Sequence, residues 1–323
     1  LTAGSMSVTA GGAVTDSGTL AITGATTISA SGQNITLDET ASTFGTLSLT
    51  GANVAVTENA ATDLGASTVS GTLDITSAGA VTDSGTLAIT GATAISASGQ
   101  NITLDETAST FGTLSLTGAN VAVTENAATD LGASTVSGTL GITSAGAITN
   151  SGSLAITGDA TFDNLGGSDD AITLNNPSNV FNGTVTFTTD SGSAVTIVDT
   201  TALDLAALTA GSLSVTAGGD ISDSGVLDIG TTASFTTTAA NGNVDLDQTS
   251  DIDGALSITT HGTGTSSVTN LTDAIELGAI TSSQLTLGAA GDITNSGVLD
   301  IGGNAAFTTT GSNGSVSLDQ ASD

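Results

Sequence analysis

Apolar residues recur at every second position in short bursts along the chain. Leu20 and Ile22 flank Ala21, Ile35 and Leu37 flank Thr36, and Leu47 and Leu49 flank Ser48; Val54 and Val56 flank Ala55, and Leu73 and Ile75 flank Asp74. Bursts with period two predict short strands with one face turned inward. Gly, Asn, Asp and Ser fill the gaps and supply the corners. A helical reading fails because apolar residues do not recur at intervals of three and four, and Gly and Thr are too frequent. With the segments around Val14, Ile28 and Leu64, about nine strand-like units fall between Val14 and Ala80.

That stretch is a repeat. Val14 to Ala80 and Val81 to Ala147 are equal in length and differ at only two positions, Thr27 against Ala94 and Asp74 against Gly141. The same opening returns at Ile148, Ile221 and Ile293, at offsets of 67, 73 and 72. The blocks are 14–80, 81–147, 148–220, 221–292 and a partial 293–323; Ile221 to Asp251 matches Ile293 to Asp323 at 21 of 31 positions. Repeats of short strands stack into solenoids. Nine units read as three rungs of three strands, roughly 22 residues per rung, so the expected fold is an all-β parallel β-helix (β-solenoid). Both differing positions then fall on the outward face, where substitution costs little. About 14 to 15 such rungs, stacked ~4.8 Å apart, would make a rod of roughly 70 Å. A string of antiparallel Ig-like sandwiches is the weaker alternative, because the strands are short and tryptophan is missing. Leu1 to Gly12 matches Leu208 to Gly219 with one change, Met6 for Leu213, and Asp323 aligns with mid-block Asp251. Residues 1–323 are therefore expected to be a single continuous β-solenoid segment of a longer chain.

Composition narrows the partners. The chain has 31 Asp plus Glu, one His and no Lys or Arg, for a formal charge of −31. Phosphate neutralisation needs basic residues, so nucleic acid is excluded as a partner, and anionic membrane surfaces are excluded for the same reason. Disorder does not follow from this charge, since 38% of residues are apolar and the chain is rich in strand-forming Val, Ile and Thr. Without Cys there is neither a disulfide framework nor a thiolate metal site. No apolar run approaches the length of a membrane span, so no membrane insertion is expected, and Leu1-Thr2-Ala3-Gly4-Ser5 is not a signal peptide. Trp and Tyr are absent and Phe occurs seven times, which suits a narrow interior of aliphatic side chains.

Three runs carry a resemblance: Gly18-Thr19-Leu20-Ala21-Ile22-Thr23-Gly24, Gly32-Gln33-Asn34-Ile35-Thr36-Leu37, and Leu47-Ser48-Leu49-Thr50-Gly51-Ala52-Asn53-Val54. Together they resemble the repeat body of filamentous haemagglutinin-type exoproteins, the giant adhesins of bacterial two-partner secretion, over nearly the whole chain. The resemblance implies a right-handed β-helix, export through an outer-membrane partner, and a stalk-like role at the cell surface.

The acidic residues are the only candidate chemistry. Asp16 and Asp83 each precede Ser-Gly, and their later equivalents are Asn150, Asp223 and Asn295. Asp38, Asp105, Asp247 and Asp319 each follow Leu, with Asn175 as their counterpart; beside them Glu39 and Glu106 become Asn176, Gln248 and Gln320. An amide cannot replace a carboxylate in proton transfer, but it can in a turn, where the side-chain oxygen accepts a backbone N–H. A turn role is therefore expected. Calcium suits carboxylates, yet the glycine-rich nonapeptide of calcium-binding β-rolls is absent, leaving only loose surface Ca2+. Asp169-Asp170 and His261-Gly262 faintly resemble the carboxylates and histidine of polygalacturonases, a family that also needs basic residues. The expectation is no enzyme, with no catalytic, cofactor-binding or metal residues. Pro177 is read as a bulged corner near Val180 and Phe181. Asn34, Asn101, Asn182, Asn270 and Asn313 open Asn-x-Ser/Thr triplets, frequent by chance in a Thr-rich chain.

The function expected is a non-enzymatic extracellular stalk or spacer of a giant adhesin or cell-surface filament. The alternative is a self-assembling subunit of an extracellular fibre or sheath. Partners would be the same chain, by continuation or end-to-end stacking, and cell-surface or matrix contacts. Ice or surface binding through Thr236-Thr237-Thr238 would need Thr-x-Thr ranks on consecutive rungs, and the sequence does not display them aligned.

Overall fold

The computed structural model describes residues 1–164 and 170–319. Every strand pairing among them is parallel, no helix occurs among them, and the chain winds as a parallel β-solenoid. It forms two compact units, Leu1–Gly158 and Asp159–Asp323.

In the first unit one turn runs through three sides, as in Val81–Asp83, Leu87–Ile89 and Thr93–Ser96. On the first side, Thr62–Leu64, Val81–Asp83, Ile102–Leu104, Val121–Glu125 and Leu140–Ser144 stack in one ladder. The second side stacks Met6–Thr9, Thr26–Ser29, Thr46–Gly51, Ser67–Val69 and Leu87–Ile89. The third stacks Val14–Thr15, Ile35–Leu37, Val54–Glu58, Leu73–Ser77, Thr93–Ser96 and Thr113–Gly118. Longer strands bend across a corner. Thr113 and Leu114 pair with Asp130 and Leu131 on the second side, while Thr117 and Gly118 pair with Thr135 and Val136 on the third.

Turn length varies about the expected rung. Val81 opposes Ile102 close to it, while Ile102 opposes Val121 and Leu47 opposes Leu64 in shorter turns. The block 14–80 is not three turns of three strands. Its sides are Val14–Thr15, Ala21–Ile22, Thr26–Ser29, Ile35–Leu37, the bridge residue Thr43, Thr46–Gly51, Val54–Glu58, Thr62–Leu64, Ser67–Val69 and Leu73–Ser77. Ten sides make three and one third turns. Two of them go unmarked by the apolar alternation: Thr43, a single bridging residue, and Ser67–Val69, whose inward positions are a buried serine and one valine.

The second unit keeps the architecture with more variable spacing. Ala160 opposes Val185 in a long turn, Val244 opposes Ser266 in an intermediate one, and Ala194 opposes Ser212 in a short one. Inward positions alternate with outward ones throughout, so each side contributes one or two aliphatic residues to the interior, such as Leu47, Ile75 and Val215. Aromatic packing concentrates in block 148–220. There the Phe162 ring lies edge-on to Phe181 at 6.1 Å and stacks against Phe187 at 5.8 Å; such pairs add to simple burial.

Candidate functional site: carboxylates at the corners

The two acidic groups singled out in the sequence meet, one turn apart. Asp16 Oδ1 accepts the Asp38 N–H at 3.1 Å, Asp83 Oδ1 accepts that of Asp105 at 2.9 Å, and Asp223 Oδ1 accepts that of Asp247 at 2.8 Å. Where the first member is an amide the tie persists: Asn295 Oδ1 accepts the Asp319 N–H at 3.1 Å while its Nδ2 donates to the Gly297 carbonyl at 3.0 Å. Asn150 Nδ2 makes the same local bond to Gly152 at 2.9 Å. The expected turn role is thus corrected in one respect. The side-chain oxygen bridges successive turns of the solenoid, while the amide nitrogen of Asn150 and Asn295 closes its own corner. The strand ends here, so the next turn's N–H has no ladder partner, and a buried N–H without an acceptor is costly. Burial pushes the Asp83 and Asp223 carboxyls above their ordinary range, against the N–H groups of residues 105 and 247 that pull them down.

A second carboxylate tie was not picked out in the sequence. Glu58 and Glu125 point inward and are almost fully buried. Each accepts the N–H of a phenylalanine on the preceding turn, Phe44 and Phe111 respectively, at 2.7 Å. The Thr129 hydroxyl donates to the other Glu125 oxygen at 2.8 Å. In the first copy the Thr62 hydroxyl donates to Ser77 at 3.0 Å and still lies near enough to Glu58 to pull its carboxyl down. Asp199 occupies the same corner in the second unit, accepting from Phe181 N–H at 3.4 Å and Thr201 at 3.1 Å. Burial raises all three carboxyls, Glu125 to about 7, with the backbone N–H of the phenylalanine as a main opposing influence for the two glutamates. The signal was available in the sequence, since each of these acids follows an alternating apolar run at an inward phase.

Other polar side chains repeat the motif along the solenoid. Asn53 donates its N–H and Nδ2 to Asn34 Oδ1, and Thr72 donates its N–H and hydroxyl to Asn53 Oδ1; Asn101, Asn120 and Thr139 reproduce the stack. Two triplet asparagines, Asn34 and Asn101, are therefore structural acceptors. Outward acids are held by hydroxyls: Asp63 accepts from Thr46 at 2.7 Å and Ser84 at 2.9 Å.

The remaining candidates do not converge. His261 is exposed in a tight turn beside Gly262, whose φ is +65°, and its Nδ1 lies 2.8 Å from the Thr237 carbonyl. Asp169, Gln320 and Asp323 lie outside the described residues, as does the Asn270 side chain. Pro177 sits at a corner, in a hydrogen-bonded turn that Asn176 closes through Ser178 and Asn179. Among the described residues no three of His, Cys, Asp and Glu form a group able to hold a metal. Hydroxyl ranks, by contrast, are aligned. Ser214 and Thr216 stack under Ser234 and Thr236, which stack under Ser257 and Thr259. Thr237 is buried inward, so the rank is Ser-x-Thr and not the run Thr236-Thr237-Thr238.

Three-sided turns, parallel ladders and polar corner ties define a parallel β-solenoid repeat protein. A family model described as repeats of unknown function (DUF5649) matches residues 1–50, 51–117, 118–188, 192–259 and 263–323, and the chain belongs to that family. No curated protein and no solved structure matches the chain.

Proposed function

We propose that the chain is a non-enzymatic structural spacer of an extracellular adhesin or cell-surface filament, as the resemblance to filamentous haemagglutinin-type repeats implies. The observation that carries this reading is the interchange of Asp and Asn at one corner tie. Asp83, Asp223 and Asn295 all accept the next turn's N–H, a job that needs an oxygen but no titrating proton. The acids at this corner thereby serve as fasteners between turns. Near-identical blocks suit a part whose extent matters more than any one residue. The alternative, a self-assembling fibre subunit, rests on the same repetition.

Labelling the protein on its native cell and imaging it distinguishes these. A spacer is expected to hold a fixed distance from the cell surface that grows with the number of blocks. A polymer of many chains would instead favour the fibre. Turnover of a polysaccharide that is lost on changing Asp170 would overturn both.

A further inference from the structure

The blocks and the turns of this solenoid are out of step. In the first unit, Val14 begins its block on the third side, Val81 begins the next on the first side, and Ile148 begins its block on the second. Ten sides per block on a three-sided solenoid require this, because ten leaves a remainder of one.

The second unit shows that the count is kept even where length is not. Its block 221–292 is longer than block 81–147. It runs Ile221–Asp223, Leu227–Ile229, Ala233–Thr237, Val244–Leu246, Asp251–Ile252, Ala255–Thr259, Ser266–Leu271, the two halves of Ile275–Ser282, and Leu285–Ala289. The halves of Ile275–Ser282 pair separately, with Ile293–Asn295 and Leu299–Ile301. That is again ten sides. Ile221 stacks on the ladder of Leu203, Val244 and Ser266, whereas its equivalent Ile293 stacks on that of Ile275 and Val316. The additional length is absorbed in corners, in the turns that bring Val244 against Ile221 and Ser266 against Val244.

We propose that the block is a phase-shifting module: each block added or removed turns the surface of everything after it by one third of a turn about the solenoid axis, and three blocks restore the original facing. With turns ~4.8 Å apart, one block advances the axis by about 16 Å and three blocks by about 48 Å. The surface already follows this rule. The rank Ser7/Thr9, Thr27/Ser29, Ser48/Thr50 lies on the second side, and its equivalent one block later, Asp74/Thr76, Ala94/Ser96, Ser115/Thr117, lies on the third. No single side therefore carries a block's face for long. A partner that recognised one block would be presented in three directions in succession. This inference goes beyond the spacer reading and does not depend on it.

The chain has no Cys, so paired spin labels can be placed cleanly in the full-length protein. Ala55→Cys with Ser115→Cys spans three turns on one ladder. Asp74→Cys with Gly141→Cys spans one block, at outward positions where the copies already differ. Dipolar EPR is expected to give the first pair a backbone separation of about 14 Å and the second a clearly longer one. Equal distances would mean whole-turn blocks and overturn the proposal.

A second chain lacking residues 81–147 tests the module itself, with labels at Thr76→Cys and Ala155→Cys, which sit on one ladder in the intact protein. The phase shift predicts that they end on different sides. Labels in contact one turn apart, or loss of the β circular dichroism, would overturn it.

Discussion

Equivalent corners are built in two opposite ways, and the second unit holds both kinds, keeping the carboxylate tie at Asp199 and Phe181. In the first unit, Phe44 and Phe111 hand their N–H groups to the buried Glu58 and Glu125. In the second, the same corner in block 221–292 holds Ile252 and Leu271, both buried. The correspondence is fixed by the neighbouring backbone bond: Asn59 and Asn126 donate to Ser42 and Ser109, and Thr272 donates to Ser250 in the same place. A carboxylate–aromatic pair and an all-aliphatic pair thus fill one corner interchangeably. The lesson is that acid and ring change together. Buried charge costs several kcal/mol unless hydrogen-bonded, whereas an apolar pair of similar volume carries no such cost.

Four measurements would break or sharpen this contrast. The largest effect is expected in the aromatic cluster of the second unit. Phe162→Ala removes the ring that touches both Phe181 and Phe187 and should cost ~3–5 kcal/mol by chemical denaturation; a cost under ~1 kcal/mol would mean the cluster does not order that unit. Next comes the corner itself. Glu125→Ala strands the Phe111 N–H and the Thr129 hydroxyl and should cost ~1–3 kcal/mol. The double change Phe111→Ile with Glu125→Leu copies the other unit's corner and should recover most of that loss. If the double variant is no better than the single, the corners are not interchangeable.

The third effect is on pH. Burial raises Glu58, Glu125 and Asp199, and Glu125 reaches about 7 against an ordinary 4.5. Between those values the folded chain binds protons that the unfolded chain does not, so stability increases as pH falls from about 7 towards 4.5. Melting temperature followed across this window should rise in acid. In the chain carrying Leu at both 58 and 125 the rise should shrink, and an unchanged rise would assign it to relief of the general charge repulsion alone. The smallest effect is at the outer tie. Asp83→Asn should change stability by no more than ~0.5 kcal/mol, while Asp83→Ala, which removes the acceptor of the Asp105 N–H, should cost about 1 kcal/mol. Equal losses in the two variants would show that charge matters there after all.

Much of this was legible in the sequence. Alternation at Leu47, Leu49, Val54 and Val56 marks strands, and the near-identity of blocks 14–80 and 81–147 marks a solenoid, because both signals live in which residues are apolar. The number of sides per block was not legible. Ser67 and Thr43 occupy sides without an apolar signature, and only the ladder reveals that Ser67 accepts the Leu49 N–H at 3.0 Å while filling an inward place. The same limit hid Glu58 and Glu125. An inward acid reads as an error in the pattern until its N–H donor, on the turn before, is brought beside it. The pairing of Asp16 with Asp38 lay within view as two separate acidic groups. What was missing was the register that joins them.

The sameness of the first two blocks has a consequence for how the chain finds its fold. Thr62–Leu64 and Thr129–Leu131 are the same three residues, and Val81 and Ile148 open equivalent strands above them. During folding, Ile148 can dock on Thr62 as readily as Val81 does, with the whole of block 81–147 left over as a loop. Residues 148–158 differ from 81–91 at only a few positions, so the local energetic gap that usually singles out one register narrows. Closing so long a loop costs only modestly more than closing a short one. What disfavours the slipped form is the stacking lost by the looped block, which makes correct registration a collective property of the whole solenoid. Order of emergence then matters. A chain that folds from one end as it appears meets Val81 before Ile148, and escapes the ambiguity that refolding from the fully unfolded state must face.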